Sequence, residues 1–277
     1  RAVIDSPLVT DIFCPVQHDQ IRGVDAGVVT LANLKSKTPE TGADSVFRSS
    51  AGSGHVIRTD LVTGVPLVTE SGSTPWSMDL VKREPDGTIT TDPYYDETVT
   101  ASTGFSICQI MHFNTDALGR SFTVGDDTRQ IKFGTRGSGN SEFYISFGQI
   151  GSDNSDSNNS TSDWYLIPFD AAFPFTGVVT ISLSPQDNEA CVMINTTNPN
   201  HSTNAVLIQN IPSNYWPTKF QKVRRFADLN DGGYADLQGF GHGIGSSNTA
   251  LHTATGAALR NFIVPKLAAA AGVTLVT

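Results

Sequence analysis

Residues 177–195 read GVVTISLSPQDNEACVMIN. Val179, Ile181 and Leu183 recur at every second position, and further on Cys191 and Met193 oppose Val192 and Ile194. A period of two puts alternate side chains on opposite faces of a strand. Two such runs around a polar stretch predict a hairpin at the centre of an all-β domain.

The same rhythm extends outward. Phe105, Ile107, Met111 and Phe113 share one face of a strand, and Phe143, Ile145 and Phe147 share one in EFYISFGQI. Phe122 and Val124 precede the turn Gly125-Asp126-Asp127, and Ile131 and Phe133 follow it, which predicts another hairpin. Strands at this spacing predict an antiparallel β-sandwich over 103–277, ending in a short helix. Leu259, Phe262, Ile263 and Leu267 carry the helical spacing, and Pro265 is expected to interrupt or kink it. An Ala-rich AAAAG tail and a β-like TLVT follow.

Residues 1–102 read differently, as an extended arm and a β-rich region. Residues 1–15 hold two Pro and many β-branched residues, which argues against helix. Such an arm can add a strand to a neighbouring subunit's sheet or pair within its own chain. Residues 38–54 are polar and rich in Gly and Ser, so a long loop is expected. VIRTDLVTG (56–64) and Leu67–Thr69 read as short strands. Glu84-Pro85-Asp86-Gly87 is a turn by its chemistry, and TITTDPYYDETVTA (88–101) resumes strand character. GSDNSDSNNSTSD (151–163) is too polar to bury and is expected as a surface loop.

Composition narrows the function. Hydrophobic residues make up 38% and charged ones 16%, with Ser, Thr, Asn and Gly filling the difference. With 18 basic against 27 acidic residues the net charge is −9, so a nucleic-acid partner lacks its basic footprint. No run of 18 apolar residues offers a membrane span. The chain begins at Arg1 rather than Met, as a processed or truncated chain would.

The three cysteines, Cys14, Cys108 and Cys191, have no zinc spacing. Buried free thiols are one reading of Cys108 and Cys191, and a bridge between two sheets is the other. Asn158, Asn159, Asn195 and Asn200 stand in N-x-S/T triplets, as chance allows in such a chain.

Catalytic motifs are missing: no G-x-S-x-G, H-E-x-x-H, C-x-x-C or phosphate loop occurs. Glu142 and Glu189 are isolated, so paired carboxylates for glycoside hydrolysis find no support. GFGHGIG (239–245) reads as a strand with one bare face. His112, His242 and Tyr144 are the only groups to name for polysaccharide cleavage. The chain is therefore expected to be a non-enzymatic binding or structural module.

Two clusters carry binding chemistry. Trp164, Tyr165, Tyr215 and Trp216 lie in or beside loops, as does Trp76; exposed, they would stack on glycans, and buried they are core. Asp228, Asn230, Asp231 and Asp236 offer side-chain oxygens from one loop, which suits calcium as cofactor or an Asx-rich hairpin turn. The loop departs from an EF-hand at Gly232.

In order and rhythm, GFSICQIMHFN, FTVGDDTRQIKFGTRG, EFYISFG, the central hairpin ending at Ile194-Asn195, and GGYADLQGFGHGIGSSNTAL resemble the concanavalin A-like or laminin-G-like jelly-roll superfamily. In style, the N-terminal region resembles bacteriophage virion surface proteins. The resemblance implies glycan or protein binding, sometimes with calcium, in a virion or extracellular setting. It implies partners among copies of the chain itself, other virion or assembly proteins, or a cell-surface glycan. A secreted carbohydrate-binding module, or a polysaccharide-degrading enzyme on the same fold, is the alternative.

Overall fold

The hairpin forms where the alternation places it. Phe175–Ser184 pairs antiparallel with Glu189–Ile194, Val179 opposite Ile194 and Leu183 opposite Ala190. A 3-10 turn, Pro185–Asp187, joins them, and Asn188 closes it in the left-handed region at φ 55° with its N–H donated to Pro185 O. Asn tolerates that region better than most residues.

The computed structural model describes residues 9–12, 30–32, 44–49, 55–59, 66–70, 78–93, 104–113, 119–135, 142–150, 162–225, 245–247 and 250–277. Their strands are β1 (Val9–Ile12), β2 (Thr30–Ala32), β3 (Asp44–Ser49), β4 (His55–Thr59), β5 (Pro66–Glu70), β6 (Met78–Arg83), β7 (Ile89–Pro93), β8 (Phe105–Phe113) and β9 (Gly119–Gly125). There follow β10 (Arg129–Thr135), β11 (Phe143–Gln149), β12 (Ser162–Ile167), β13 (Phe175–Ser184), β14 (Glu189–Ile194), β15 (Ala205–Ile208), β16 (Lys222–Arg225) and β17 (Gly245–Ser247). Among the described residues the one α-helix is α1 (Ala254–Ala271), followed by a short tail.

The strands build an antiparallel β-sandwich. One sheet has the order β1-β17-β8-β13-β14-β15, the other β12-β11-β10-β9-β16-β6-β3-β2 with β7 also on β6. β4 and β5 form a separate pair. The inner faces carry one core, with Phe113 5.1 Å from Phe143, Phe105 5.2 Å from Phe220, and Phe143 5.3 Å from Phe175. Each fully buried Phe is worth about 1.5–3 kcal/mol. Gly177, on the inner face of β13, is where a side chain cannot fit: a Cβ would come within 2.3 Å of Phe175 Cζ.

Helix α1 makes a third layer. Ile110 of β8 and Val178 of β13 face outward and pack against Leu259, Ile263, Val264 and Ala268. Thr253 caps the start by accepting from Gly256 N, and Gly272 ends the helix at φ 66°. The tail then docks onto the sheet: Val276 N donates to Asn195 O, and Thr196 Oγ1 donates to Val276 O.

Several expectations change. Strand pairing ignores the boundary at residue 102: β1 joins one sheet and β2, β3, β6 and β7 the other. Residues 1–102 and 103–277 therefore contribute to shared sheets. The arm segment Val9–Ile12 pairs within the chain, with β17. Within the expected loop 38–54, DSVFRS is β3, because pairing with β6 and burial of Val46 override its polar flanks.

Helix α1 runs through Pro265, which lies on the exposed side, where water can meet the carbonyl it leaves unpaired. Phe262 points outward at 38% exposure beneath the Lys266 ammonium, and Val264 takes the core position instead. The buried row follows Gly256, Leu259, Arg260, Ile263, Val264, Ala268 and Ala271.

Cys108 and Cys191 are free thiols. They sit in one sheet, on β8 and β14 with β13 between them, not in facing sheets. Two strand spacings and a two-residue offset in register put their Cα atoms about 12 Å apart, beyond the Cα separation of about 7 Å that a disulfide tolerates.

Candidate functional site

Edge strand β12 carries the aromatic pair of SDWYLI on opposite faces. Tyr165 and Ile167 join the core, so alternation puts Trp164 and Leu166 on the outer face. Trp164 is half-buried and Leu166 is 36% exposed. The two form a short apolar strip at the sheet's edge, and the expected surface loop over 151–161 lies outside the described residues.

The other two aromatic candidates are core residues. A 3-10 turn, Ser213–Tyr215, folds Tyr215 and Trp216 inward, at 8% and 5% exposure. Trp216 meets Phe147 edge-on at 5.3 Å, and Tyr165 meets the same ring edge-on at 6.0 Å. Burial, then the Asp163 carboxylate, pushes the Tyr165 hydroxyl well above its ordinary pKa. Tyr215 and Trp216 are thus core packing and Tyr165 packs against the core, Tyr165 and Trp216 both on Phe147, while Trp164 lies half-buried on the outer face. Trp76 and His242 lie outside the described residues, and so does the whole calcium candidate, Asp228, Asn230, Asp231 and Asp236. Among the described residues, no three His, Cys, Asp or Glu side chains gather as metal ligands. No described helix is long and apolar enough to cross a membrane.

A buried polar chain under the start of α1 escaped the sequence reading. Ser182 Oγ lies 2.8 Å from His252 Nδ1, and His252 Nε2 lies 3.6 Å from Glu189 Oε2. Ser106 Oγ donates to Ser182 Oγ and accepts from Leu251 N, while His252 N donates to Ser182 Oγ. Arg260 donates to Leu251 O at 2.6 Å. The order Ser–His–Glu matches a nucleophile, a base and an orienting acid in type. Yet Ser106 and Ser182 are 0% exposed, so this chain ties the helix to the sheet. Burial keeps His252 below its ordinary pKa against the opposing pull of Glu189 and Asp187. No local pattern flags it, because its members come from β8, β13, β14 and the turn before α1.

The outer face of the larger sheet carries a second polar set. Following register, Trp164 lies opposite Ser146, Ser146 opposite Lys132, Lys132 opposite Thr123, Thr123 opposite Arg224, and Arg224 opposite Asp79. Ser146, Lys132 and Thr123, in the middle of the row, are buried. Arg224 grips Asp79 with two bonds, Nε to Oδ1 at 2.6 Å and Nη2 to Oδ2 at 3.0 Å. Tyr144, also on this face, is 6% exposed, and His112 is described only in its backbone.

Comparison with known proteins bears on the fold. No protein-family model matches the chain, and no curated protein matches it in sequence. Domain 4 of AbnA, an extracellular GH43 arabinanase from Geobacillus stearothermophilus solved with arabinotriose, superposes with TM-score 0.50 at 8% identity, over 91% of this chain and 97% of that one. The crystal structure of HCR/D-Sa-GBL1/C superposes with TM-score 0.51 at 10% identity, over 96% of this chain and 53% of that one, so this chain spans about half of its length. The full-length tailspike protein 2 of an Escherichia coli O157:H7 bacteriophage reaches TM-score 0.42 at 11% identity over 77% of this chain and 27% of that one, too distant to carry function. At these identities the shared property is the all-β sandwich.

Proposed function

We propose that the chain is a non-enzymatic glycan-binding β-sandwich module, of the concanavalin A-like or laminin-G-like kind, that serves a virion or another extracellular assembly. The observation that carries the reading is the strip of Trp164 and Leu166 on the outer face of edge strand β12. An indole face backed by an aliphatic side chain suits the C–H face of a sugar ring. The fold shared along nearly the full length of AbnA domain 4, a module solved with a bound oligosaccharide, supports the same reading.

Its partners are a surface glycan and, through the assembly, copies of itself or other structural proteins. Binding without turnover is supported by the sealed state of Ser182 and by the burial of Tyr144.

Two measurements test it. A glycan array with purified protein should give retained ligands, with no reducing-end release from the same glycans, and Trp164→Ala should weaken retention about tenfold. Released product would make it an enzyme, and an array without a ligand would end the glycan reading. Size in solution separates the settings: a stable trimer or larger assembly supports the virion role, a clean monomer the secreted module.

A further inference from the structure

Strand β6 changes partners partway along one edge. Its start pairs with β16, Met78 opposite Arg225 and Asp79 opposite Arg224. From Val81 onward the same edge pairs with β7, Val81 opposite Pro93 and Arg83 opposite Ile89. The sheet therefore forks after Asp79, and the ends of β16 and β7 splay apart. A cleft of about 180 Å³ opens in the fork, walled by Asp79, Val81, Thr91, Pro93, Lys222 and Arg224.

The charges in this cleft balance. Arg224 is held by Asp79, and Lys222 Nζ lies 2.6 Å from Asp127 Oδ1. Among the described residues both cations of the cleft meet a carboxylate, Asp79 in its wall and Asp127 beside it, so neither a strong anion nor a strong cation finds an unmatched countercharge there. What the walls offer is a mixture of fixed donors and acceptors: carboxylate, guanidinium, ammonium and the exposed Thr91 hydroxyl, with Val81 and Pro93 as apolar surface. Vicinal hydroxyls on a compact apolar ring complement such a set, since each hydroxyl both donates and accepts. The volume lies below the roughly 300–1,000 Å³ of sites for drug-sized ligands, which limits the occupant to about one ring.

We propose that the fork cleft is a second glycan-contact site and takes one neutral sugar residue. This rests on the glycan-binding reading above and adds a location and a ligand class to it. The cleft lies on the same outer face as Trp164, five strand spacings away, about 24 Å along the sheet. The buried middle of the row separates the two contact points, so they act as distinct subsites.

The test titrates the whole chain with neutral oligosaccharides, arabinotriose among them, and with polygalacturonate as the acidic comparator. Wild type, Thr91→Val, Lys222→Met and Trp164→Ala are compared by calorimetry, with a melting curve for each. Thr91 is exposed, so its isosteric replacement leaves the fold standing even if the Lys222 variant is destabilised. The expected result is binding of a neutral oligosaccharide that Thr91→Val weakens about tenfold at unchanged melting temperature. Binding that Trp164→Ala weakens but Thr91→Val and Lys222→Met leave at the wild-type level overturns the cleft and leaves the glycan reading intact. Tighter binding of polygalacturonate than of any neutral glycan overturns the neutral assignment. No binding to wild type at all removes the glycan reading and the cleft with it.

Discussion

Asp126 and Thr218, 92 residues apart, are joined by two hydrogen bonds to one oxygen: Thr218 N donates to Asp126 Oδ2 at 2.6 Å and Thr218 Oγ1 at 2.8 Å. The other oxygen accepts from Thr128 N, Thr128 Oγ1 and Arg129 N at 2.7–2.9 Å. One carboxylate thus shapes the β9–β10 turn and fastens it to the segment that delivers Trp216 and Phe220 to the core. Burial raises its pKa, but these donors outweigh burial and hold it at about 2.

Replacing Asp126 by Ala strands several donors at once. Hydrogen bonds to a charged group contribute about 1.5–3 kcal/mol, so a loss of at least about 2 kcal/mol is expected. Urea unfolding measures it. Because the folded pKa lies below the unfolded 3.8, the stabilisation is present above about pH 4 and fades as pH falls toward 2. The Ala variant should lack that acid limb.

His252 gives a second pH dependence, with its own window. Its folded pKa is lowered from 6.5 by burial, so below about pH 6.5 the unfolded chain takes up the proton more readily. Stability should fall as pH drops below 6.5 and level off above it. His252→Gln should flatten this limb; an unchanged pH profile in that variant would refute the assignment.

Gln109 sits on the inner face of β8 at 1% exposure, with both amide atoms buried and without a hydrogen-bond partner. An orphaned buried polar group costs about 1–3 kcal/mol, and an apolar group of the same shape removes the penalty. Gln109→Met should raise stability by about 1 kcal/mol or more in equilibrium unfolding. A drop would mean that the amide has a partner in solution.

The two tryptophans should separate stability from binding. Trp216→Ala removes a side chain at 5% exposure and should cost about 3–5 kcal/mol. Trp164→Ala should cost much less stability and lose glycan retention. Melting curves beside array signals read both.

Burial pushes both the Cys108 and the Cys191 thiol up to about 12. Neither should react with iodoacetamide in the native state, and both should label on unfolding. Mass spectrometry of tryptic peptides should find no Cys108–Cys191 crosslink.

Much of the architecture was legible because alternation is a local property. Phe105 to Phe113, Phe143 to Phe147 and Val179 to Leu183 point into one core, as their two-residue period requires. The hairpins at 119–135 and 175–194 stand where their turn residues lie. The C-terminal helix was legible too, though not which side of it packs: Phe262 and Val264 exchange places, since a short apolar stripe leaves its own rotation open.

The site was far less legible. That SDWYLI turns Trp164 outward while SNYWP folds Trp216 inward depends on which face of the larger sheet meets the core, and both segments look alike as loop aromatics.

By itself, then, the sequence determined that the chain is an antiparallel sandwich with a helix at its end, and which faces of its central strands are apolar. Only the tertiary structure decided that β3, β6 and β7 enter the same sheet as β9 and β10, that Cys108 and Cys191 share a sheet, and that β6 forks around a cleft. The physical reason is range. A period of two is written in neighbouring residues, whereas partner choice between strands 100 residues apart depends on chain closure, register and packing of the whole.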